Sequence, residues 1–125
     1  MSKRVDWIVI FPRHTPFIGT TALYSAPIDV RDYVEAFLTG WQGTGLGSTP
    51  ATVEFSAEKS TDLDVWFPGT PFSPASADAE VISGVGIYHP WLRFKAEVSG
   101  ADPGVTCWLV GGFVRREGPV AGEVA

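Results

Sequence analysis

Hydrophobic and polar residues alternate with a period of two along several stretches of this sequence, the pattern of a β-strand with one buried face. The clearest stretch runs from Tyr88 to Val98. One of its faces carries only Tyr88, Pro90, Leu92, Phe94, Ala96 and Val98. Shorter apolar rows of the same kind are formed by Val53, Phe55 and Ala57, and by Val81, Val85 and Ile87. These stretches predict half-buried strands.

Turn-forming residues separate the alternating stretches. Gly and Pro occur together at 47–50, at 68–71 and at 100–104, and the last of these predicts a hairpin between the strands on either side. Short strands with frequent turns are typical of sandwiches and jelly rolls. We therefore predict an all-β fold, a single-domain antiparallel β-sandwich or jelly roll of about eight strands over residues 1–125, with 117–125 as a C-terminal tail.

The segment from Asp29 to Leu38 fits two structures. Its apolar residues match helical spacing, and Asp29 could cap a helix at its N-terminus. As a strand it would turn Val34, Ala36 and Leu38 inward, with Tyr33, Phe37 and Trp41 on the other face. We favour the strand, because the neighbouring segments are strands.

Two further strands carry apolar residues on both faces. In 104–116, one face has Val105, Cys107, Leu109 and Phe113, and the other has Trp108, Val110 and Val114. In 5–11, one face has Val5, Trp7, Val9 and Phe11, and the other has Ile8 and Ile10. A strand that is apolar on both faces is covered on both sides. The cover is either a loop or second layer of the same chain, or another subunit, because monomers rarely expose a large apolar patch.

The five Trp residues of the chain favour another subunit, since Trp is enriched at protein interfaces. This predicts a homo-oligomer interface made by six residues of the two strands: Trp7, Ile8, Ile10, Trp108, Val110 and Val114.

Composition excludes several classes of partner. The chain has 125 residues, 45% of them hydrophobic and only 18% charged, which suits a folded core rather than disorder. Its net charge of −5 lacks the basic surface of a nucleic-acid binder. No apolar run reaches the roughly 18 residues of a membrane span. We therefore expect neither nucleic acid nor membrane as a partner.

The residues able to carry chemistry are few. Cys107 lies in the middle of a strand, where a buried inert thiol is expected. The two histidines, His14 and His89, do not form a metal-binding spacing with it. Asp62 and Asp64 lack the ordered ligand ladder of a calcium loop, so a solvated acidic turn is expected instead. We predict no catalytic residue, no metal and no cofactor.

Several segments carry a recognisable series of strand motifs. Val53–Glu58 and Asp62–Trp66 form a strand pair, and Trp91–Gly100 has the spacing R-x-K-x-x-V-x-G. Ile28–Tyr33 has a D-V-x-x-Y strand entry, and Gly104–Arg116 is a final strand rich in Val, Thr and Gly. Together these segments resemble small β-sandwich structural proteins of tailed bacteriophages. The resemblance covers about residues 28–116. It implies a structural protein of the virion, of the capsid decoration or cement type or part of the neck or tail, without catalytic residues.

The expected function is therefore a non-enzymatic virion protein whose partners are its own copies and the major capsid or other virion proteins. An alternative is a carbohydrate-binding module that uses Trp41, Trp66 and Trp91 as a sugar platform. A cupin-type enzyme is a third possibility, but it needs a metal cluster of His and carboxylates that the two separated histidines do not indicate.

Overall fold

Nine strands in two antiparallel sheets make up the described part of the chain, residues 4–18, 22–43, 52–75, 79–99 and 104–116 of the computed structural model. The strands are β1 (Val5–Ile18), β2 (Leu23–Tyr24), β3 (Ile28–Asp29), β4 (Tyr33–Gln42), β5 (Thr52–Ser60), β6 (Phe67–Pro68), β7 (Ala79–Gly86), β8 (Trp91–Ser99) and β9 (Gly104–Arg115). The predicted antiparallel β-sandwich is confirmed.

Most strands that follow one another in sequence lie in different sheets; the exceptions are β2 with β3 and β5 with β6. One sheet has four strands in the order β1-β9-β4-β7, and the other has the order β2-β8-β5-β6, with β3 also paired to β8. The predicted hairpin at 100–104 is therefore wrong, because β8 and β9 lie in different sheets; residues 100–103 themselves fall outside the described residues. Turn composition reports a change of chain direction, but it does not report which sheet the next strand joins.

The ambiguous segment 29–38 includes the end of β3, a turn and the first six residues of β4, so from Tyr33 onwards it is the strand that we favoured. Ala36 and Leu38 are buried and Phe37 is exposed, which is the period-two arrangement rather than a helical one. The predicted outward position of Tyr33 is wrong: its ring packs against the core, 5.5 Å from the Phe113 ring, because the register of β4 is irregular between Tyr33 and Glu35. The reason is tertiary, since β4 pairs with β7 on one side and β9 on the other. Asp29 caps no helix; it pairs with Trp91, and its Oδ1 accepts the backbone N–H of Arg31 at 3.1 Å.

The inner faces of both sheets supply one cluster of buried hydrophobic side chains, the largest of which are Phe55, Phe94 and Phe113. The predicted rows of β5 and β8 face this core, although β8 begins at Trp91 and Tyr88 before it is exposed. Phe55 of β5 reaches across to the opposite sheet at Gly40. A Cβ on Gly40 would lie only 2.8 Å from Cε2 of Phe55, so the ring occupies the space that a side chain would fill.

Polar contacts hold both ends of β4. At its last residue, the buried Gln42 accepts the backbone N–H of Val53 from the other sheet with Oε1, at 3.0 Å. At its first residue, the hydroxyl of Tyr33 donates to Asp6 Oδ2 at 2.6 Å, and Arg115 Nε donates to the same oxygen at 2.9 Å. The Gln42–Val53 hydrogen bond therefore connects the two sheets. The hydrogen bonds to Asp6 connect β1, β4 and β9 within one sheet.

The Gly40–Phe55 contact makes the fold sensitive to a single methyl group. Gly40→Ala should lower the free energy of unfolding by about 1–3 kcal/mol, the usual cost of overpacking a filled core. Gly84→Ala is the matched control, because this glycine lies in the neighbouring strand β7 with no atom within 4 Å of the position that the added methyl group would take. It should be neutral or slightly stabilising. Equal losses in urea unfolding would contradict the tight contact.

Candidate functional site

A β-bulge divides β1 between the two faces of the four-stranded sheet. Val9 pairs with Val110 and Phe11 pairs with Leu109, so Ile10 is an extra residue in this strand. An extra residue reverses the face of the sheet to which the next side chain points. Phe11 is therefore buried in the core, whereas Trp7 and Val9 lie on the outer face. The predicted grouping of Phe11 with Trp7 and Val9 is therefore wrong.

Two members of the predicted interface lie on the other side of β1 from Trp7 and Val9, as alternation along the strand requires. Ile8 and Ile10 are half-buried and pack against the core, so they lie on the inner side of the sheet. A third member, Val114, is only 3% exposed, because it lies in the central strand β9 between its cross-strand partners Val5 and Glu35. By register Val114 lies on the outer face together with the remaining three members, Trp7, Trp108 and Val110, but it exposes almost none of its surface.

This outer face carries a continuous apolar surface across all four strands, which we call the apolar face. It comprises Val5, Trp7, Val9, Phe37, Trp41, Ile82, Trp108 and Val110. Cross-strand register aligns its members in rows, one of which runs Val9, Val110, Thr39, Ile82. The most exposed side chains are Ile82 at 73%, Trp7 at 71%, Val9 at 61% and Phe37 at 49%.

Glycines flatten the apolar face. In the row of Trp7, the register runs through Gly112 and Phe37 to Gly84. The Trp7 ring lies over Gly112, with its Cζ3 atom 2.9 Å from the position of a Cβ there. Nothing lies within 4 Å above Gly84, beside Phe37. In this row two aromatic rings alternate with glycines. The resulting surface is flat, and another flat surface can cover it.

Among the residues that the structure describes, charged groups lie only towards the two ends of this surface. Glu35 stands in the row of Val5 and Val114, and Glu80 pairs with Trp41 at the opposite end. The rows between them contain apolar residues, glycine and Thr39. A partner can therefore cover the middle of the face without burying an unpaired charge, which would be costly.

Sequence reasoning misses part of this surface. It places Phe37 on the outer face of its strand without assigning it to the interface, and it does not single out Ile82. Ile82 follows the inward Val81 in β7 and therefore points outward. Alternation leads one to expect a polar residue at such a position. An apolar residue at such a position is the feature that could have identified it.

The tryptophans proposed for sugar binding do not share a surface. Trp41 lies on the four-stranded sheet, whereas Trp91 belongs to β8 of the other sheet. The Trp66 ring lies 4.4 Å from the guanidinium carbon of Arg93, and Arg31 stands 5.8 Å from the Trp91 ring. These two rings therefore make cation–π contacts within the chain. The structure does not bring the three rings together as one platform.

The surroundings of Cys107 make its thiol unreactive. Cys107 is fully buried among core residues, and burial raises the pKa of its thiol to about 12. A thiol with that pKa carries almost no thiolate at neutral pH, so it is a poor nucleophile. Within the described ranges, no three His, Cys, Asp or Glu side chains gather as metal ligands. The side chain of His14 lies outside the described residues.

The acidic loop after β5 is built around Asp62. Its Oδ1 accepts the backbone N–H groups of Asp64 at 2.9 Å and of Val65 at 3.0 Å. Leu63 between them has a positive φ of 67°, and its N–H donates to Ser60 Oγ at 2.9 Å. The hydrogen bonds from the backbone of Val65 and Asp64 lower the pKa of Asp62. The carboxylate therefore fixes a turn, which accounts for its presence without a bound cation.

Comparison by sequence finds no relatives. No protein-family model matches this sequence, and no curated protein does either. The described residues also contain no helix of the length and apolarity needed to cross a membrane.

Comparison by structure finds the same fold in much longer chains. The PBSX exported protein XepA matches 90% of this chain with a TM-score of 0.71 and 11% identity, and the match spans 38% of that protein. Dimeric latent PorU from Porphyromonas gingivalis matches 93% of this chain, with a TM-score of 0.54 and 10% identity, over 13% of its own length. A chain of infectious bursal disease virus, Gx strain, matches 93% with a TM-score of 0.55 and 10% identity, over 33% of its length. At these identities the likeness shows a shared fold.

The role of Asp62 in the loop can be tested by its dependence on pH. Asp62→Ala should destabilise the protein at pH 7, whereas Asp64→Ala should not, because the Asp64 carboxylate accepts no hydrogen bond from a described residue. The folded-state pKa of Asp62 lies below the unfolded value of about 3.9, so its contribution is present above that pH and is lost as the pH falls through the folded value. Denaturant unfolding should show the difference between wild type and Asp62→Ala shrinking only below about pH 4. A constant difference would contradict the proposed role.

Proposed function

We propose that this chain is a non-enzymatic structural protein of a tailed-bacteriophage virion, of the capsid decoration or cement type. It acts by binding its own copies and the capsid lattice. The observation that carries this proposal is the apolar face, which exposes Trp7, Val9, Phe37 and Ile82 together on one side of a rigid sheet. A contiguous apolar surface of this kind marks an interaction site in a soluble protein.

The fold comparisons support the virion setting. XepA is an exported protein of the phage PBSX, and the bursal disease chain belongs to a virus. The sequence itself resembles phage β-sandwich proteins over about residues 28–116. The buried, unreactive thiol of Cys107 suits a structural role better than a catalytic one.

The distribution of charge favours association through the apolar face. The chain carries a net charge of −5, so two copies repel each other over most orientations. The middle of the apolar face carries no charge, and contact there removes apolar surface from water at a gain of about 25 cal/mol for each Å². The flat row that contains Trp7 and Phe37 allows two copies to pack sheet against sheet, as the sheets of a sandwich do.

The virion assignment is tested by particle composition. Phage particles made by the genome that encodes this chain should contain it after density-gradient purification, in a fixed ratio to the major capsid protein. Quantitative mass spectrometry of the particles measures that ratio. The result that would overturn the proposal is a chain present in the lysate but absent from purified particles.

Self-association is tested by Val9→Lys with Val65→Lys as its matched control. Both valines are exposed, at 61% and 51%, but Val65 lies in the loop after β5, away from the apolar face. Wild type and Val65→Lys should form oligomers, whereas Val9→Lys should remain at the monomer mass of 13.4 kDa, because a buried unpaired Lys opposes association. Light scattering after size exclusion measures the mass, and circular dichroism confirms that each variant is folded. A wild-type monomer at every concentration would refute self-association through this face.

A further inference from the structure

A cavity lies along the open side of the sandwich, between the edge strand β7 of one sheet and β5 of the other. It encloses about 280 Å³, and its lining continues into the segments after β6 and before β8. This volume is close to the lower limit of pockets that hold small molecules. None of the described residues that line it is Asp or Glu, although acidic residues outnumber basic ones in the chain by 14 to 9.

Two inward positions at this cavity carry polar residues where the strand pattern requires apolar ones. Lys59 follows Ala57 on the inner row of β5 and pairs with the buried Leu92. Ser83 stands between the inward Val81 and Val85 of β7. Both line the cavity, so the two sheets each direct a polar side chain into the same space. Lys59 forms no ion pair with any described residue.

His89 supplies a second, independent observation at the cavity. His89 is among the lining residues, and its Nδ1 atom is buried without a hydrogen-bond partner among the described residues. A buried polar atom without a partner is uncommon in folded proteins and calls for an explanation such as an unfilled binding site. Together with the Lys59 ammonium group, the imidazole makes this end of the sandwich a site for a negatively charged group.

The rest of the wall decides which anion fits. Ala57, Val85 and Leu92 form an apolar wall beside the polar groups. The backbone of Gly69 comes so close to β5 that a Cβ there would lie 2.5 Å from the carbonyl oxygen of Ala57, so this side of the cavity is formed by main chain. An inorganic ion would leave the apolar wall uncovered, whereas an organic acid would place its carbon chain on it.

We propose that this cavity binds a small organic carboxylate. The Lys59 ammonium group pairs with the carboxylate, the Ser83 hydroxyl and the His89 imidazole donate hydrogen bonds to it, and the alkyl part covers the apolar wall. This site is separate from the apolar face and does not depend on the proposed function. Two sources can supply the group, a free organic acid or a glutamate side chain of another protein.

Titration of the full-length protein with butyrate, followed by ¹H–¹⁵N NMR, tests the proposal. Saturable shifts should appear at Lys59, Ser83 and His89, while butylamine and inorganic phosphate should cause none at these residues. Binding of the peptide acetyl-Ala-Glu-Ala-amide more tightly than butyrate, with no binding of its Gln analogue, identifies a protein carboxylate as the occupant. Tighter binding of butyrate identifies a free acid. If neither carboxylate binds, or if butylamine binds as well as butyrate, the proposal is wrong.

A variant pair separates a specific site from general attraction to lysine. Lys59→Gln should weaken the binding of the better carboxylate probe by about tenfold or more, as expected for loss of a charge-assisted hydrogen bond. Lys95→Gln is the control, because Lys95 lies on the outer face of the same sheet and pairs with Glu97. Ser83→Ala provides a second variant in the other sheet and should also weaken binding. Unchanged affinity in both Lys59→Gln and Ser83→Ala would overturn the proposal.

Discussion

The contact between the Phe55 ring and Gly40 sets the distance between the two sheets. Because the ring fills the space above a residue without a side chain, β4 and β5 approach closely at this point, and Leu109 borders the same gap. Gln42 then reaches Val53 with a hydrogen bond across the sheets, two residues further along β4. The packing of one aromatic ring therefore positions the strand whose opposite side carries Phe37 and Trp41 on the apolar face.

The two outer surfaces of the sandwich have different chemistry. The four-stranded sheet exposes apolar rings and aliphatic chains, whereas the other sheet carries charged residues on its outer side, two of which, Arg93 and Glu58, pair across strands at 2.7 Å. The Arg93 guanidinium also lies between the rings of Tyr24 and Trp66, 4.4 Å from each. These contacts give the Arg93 guanidinium its partners within the chain. The exposed hydrocarbon of the apolar face leaves water only when another surface covers it, so this is the side suited to association.

Local patterns predicted the strands better than their arrangement. The alternation of β5 and β8 is a property of consecutive residues, and the structure places those rows in the core as expected. The reversal at Ile10 could not be read from the sequence, because a bulge depends on the register between β1 and β9. The cavity between β5 and β7 could not be read from the sequence either. Lys59 and Ser83 both line it only because the two sheets bring these distant residues together. Pairing between distant segments decides each of these features.

The place of β9 in its sheet has a consequence for synthesis on the ribosome. This strand is the last of the nine described, yet it lies between β1 and β4 and is the only strand that pairs with β1 among them. The first strand therefore emerges about one hundred residues before its hydrogen-bonding neighbour, and the four-stranded sheet cannot close until residues 104–115 are available. Such non-local pairing slows folding. In the interval, the edges of β1 and β4 that β9 later occupies lack their hydrogen-bonding partner, and unpaired strand edges of this kind favour pairing with other chains.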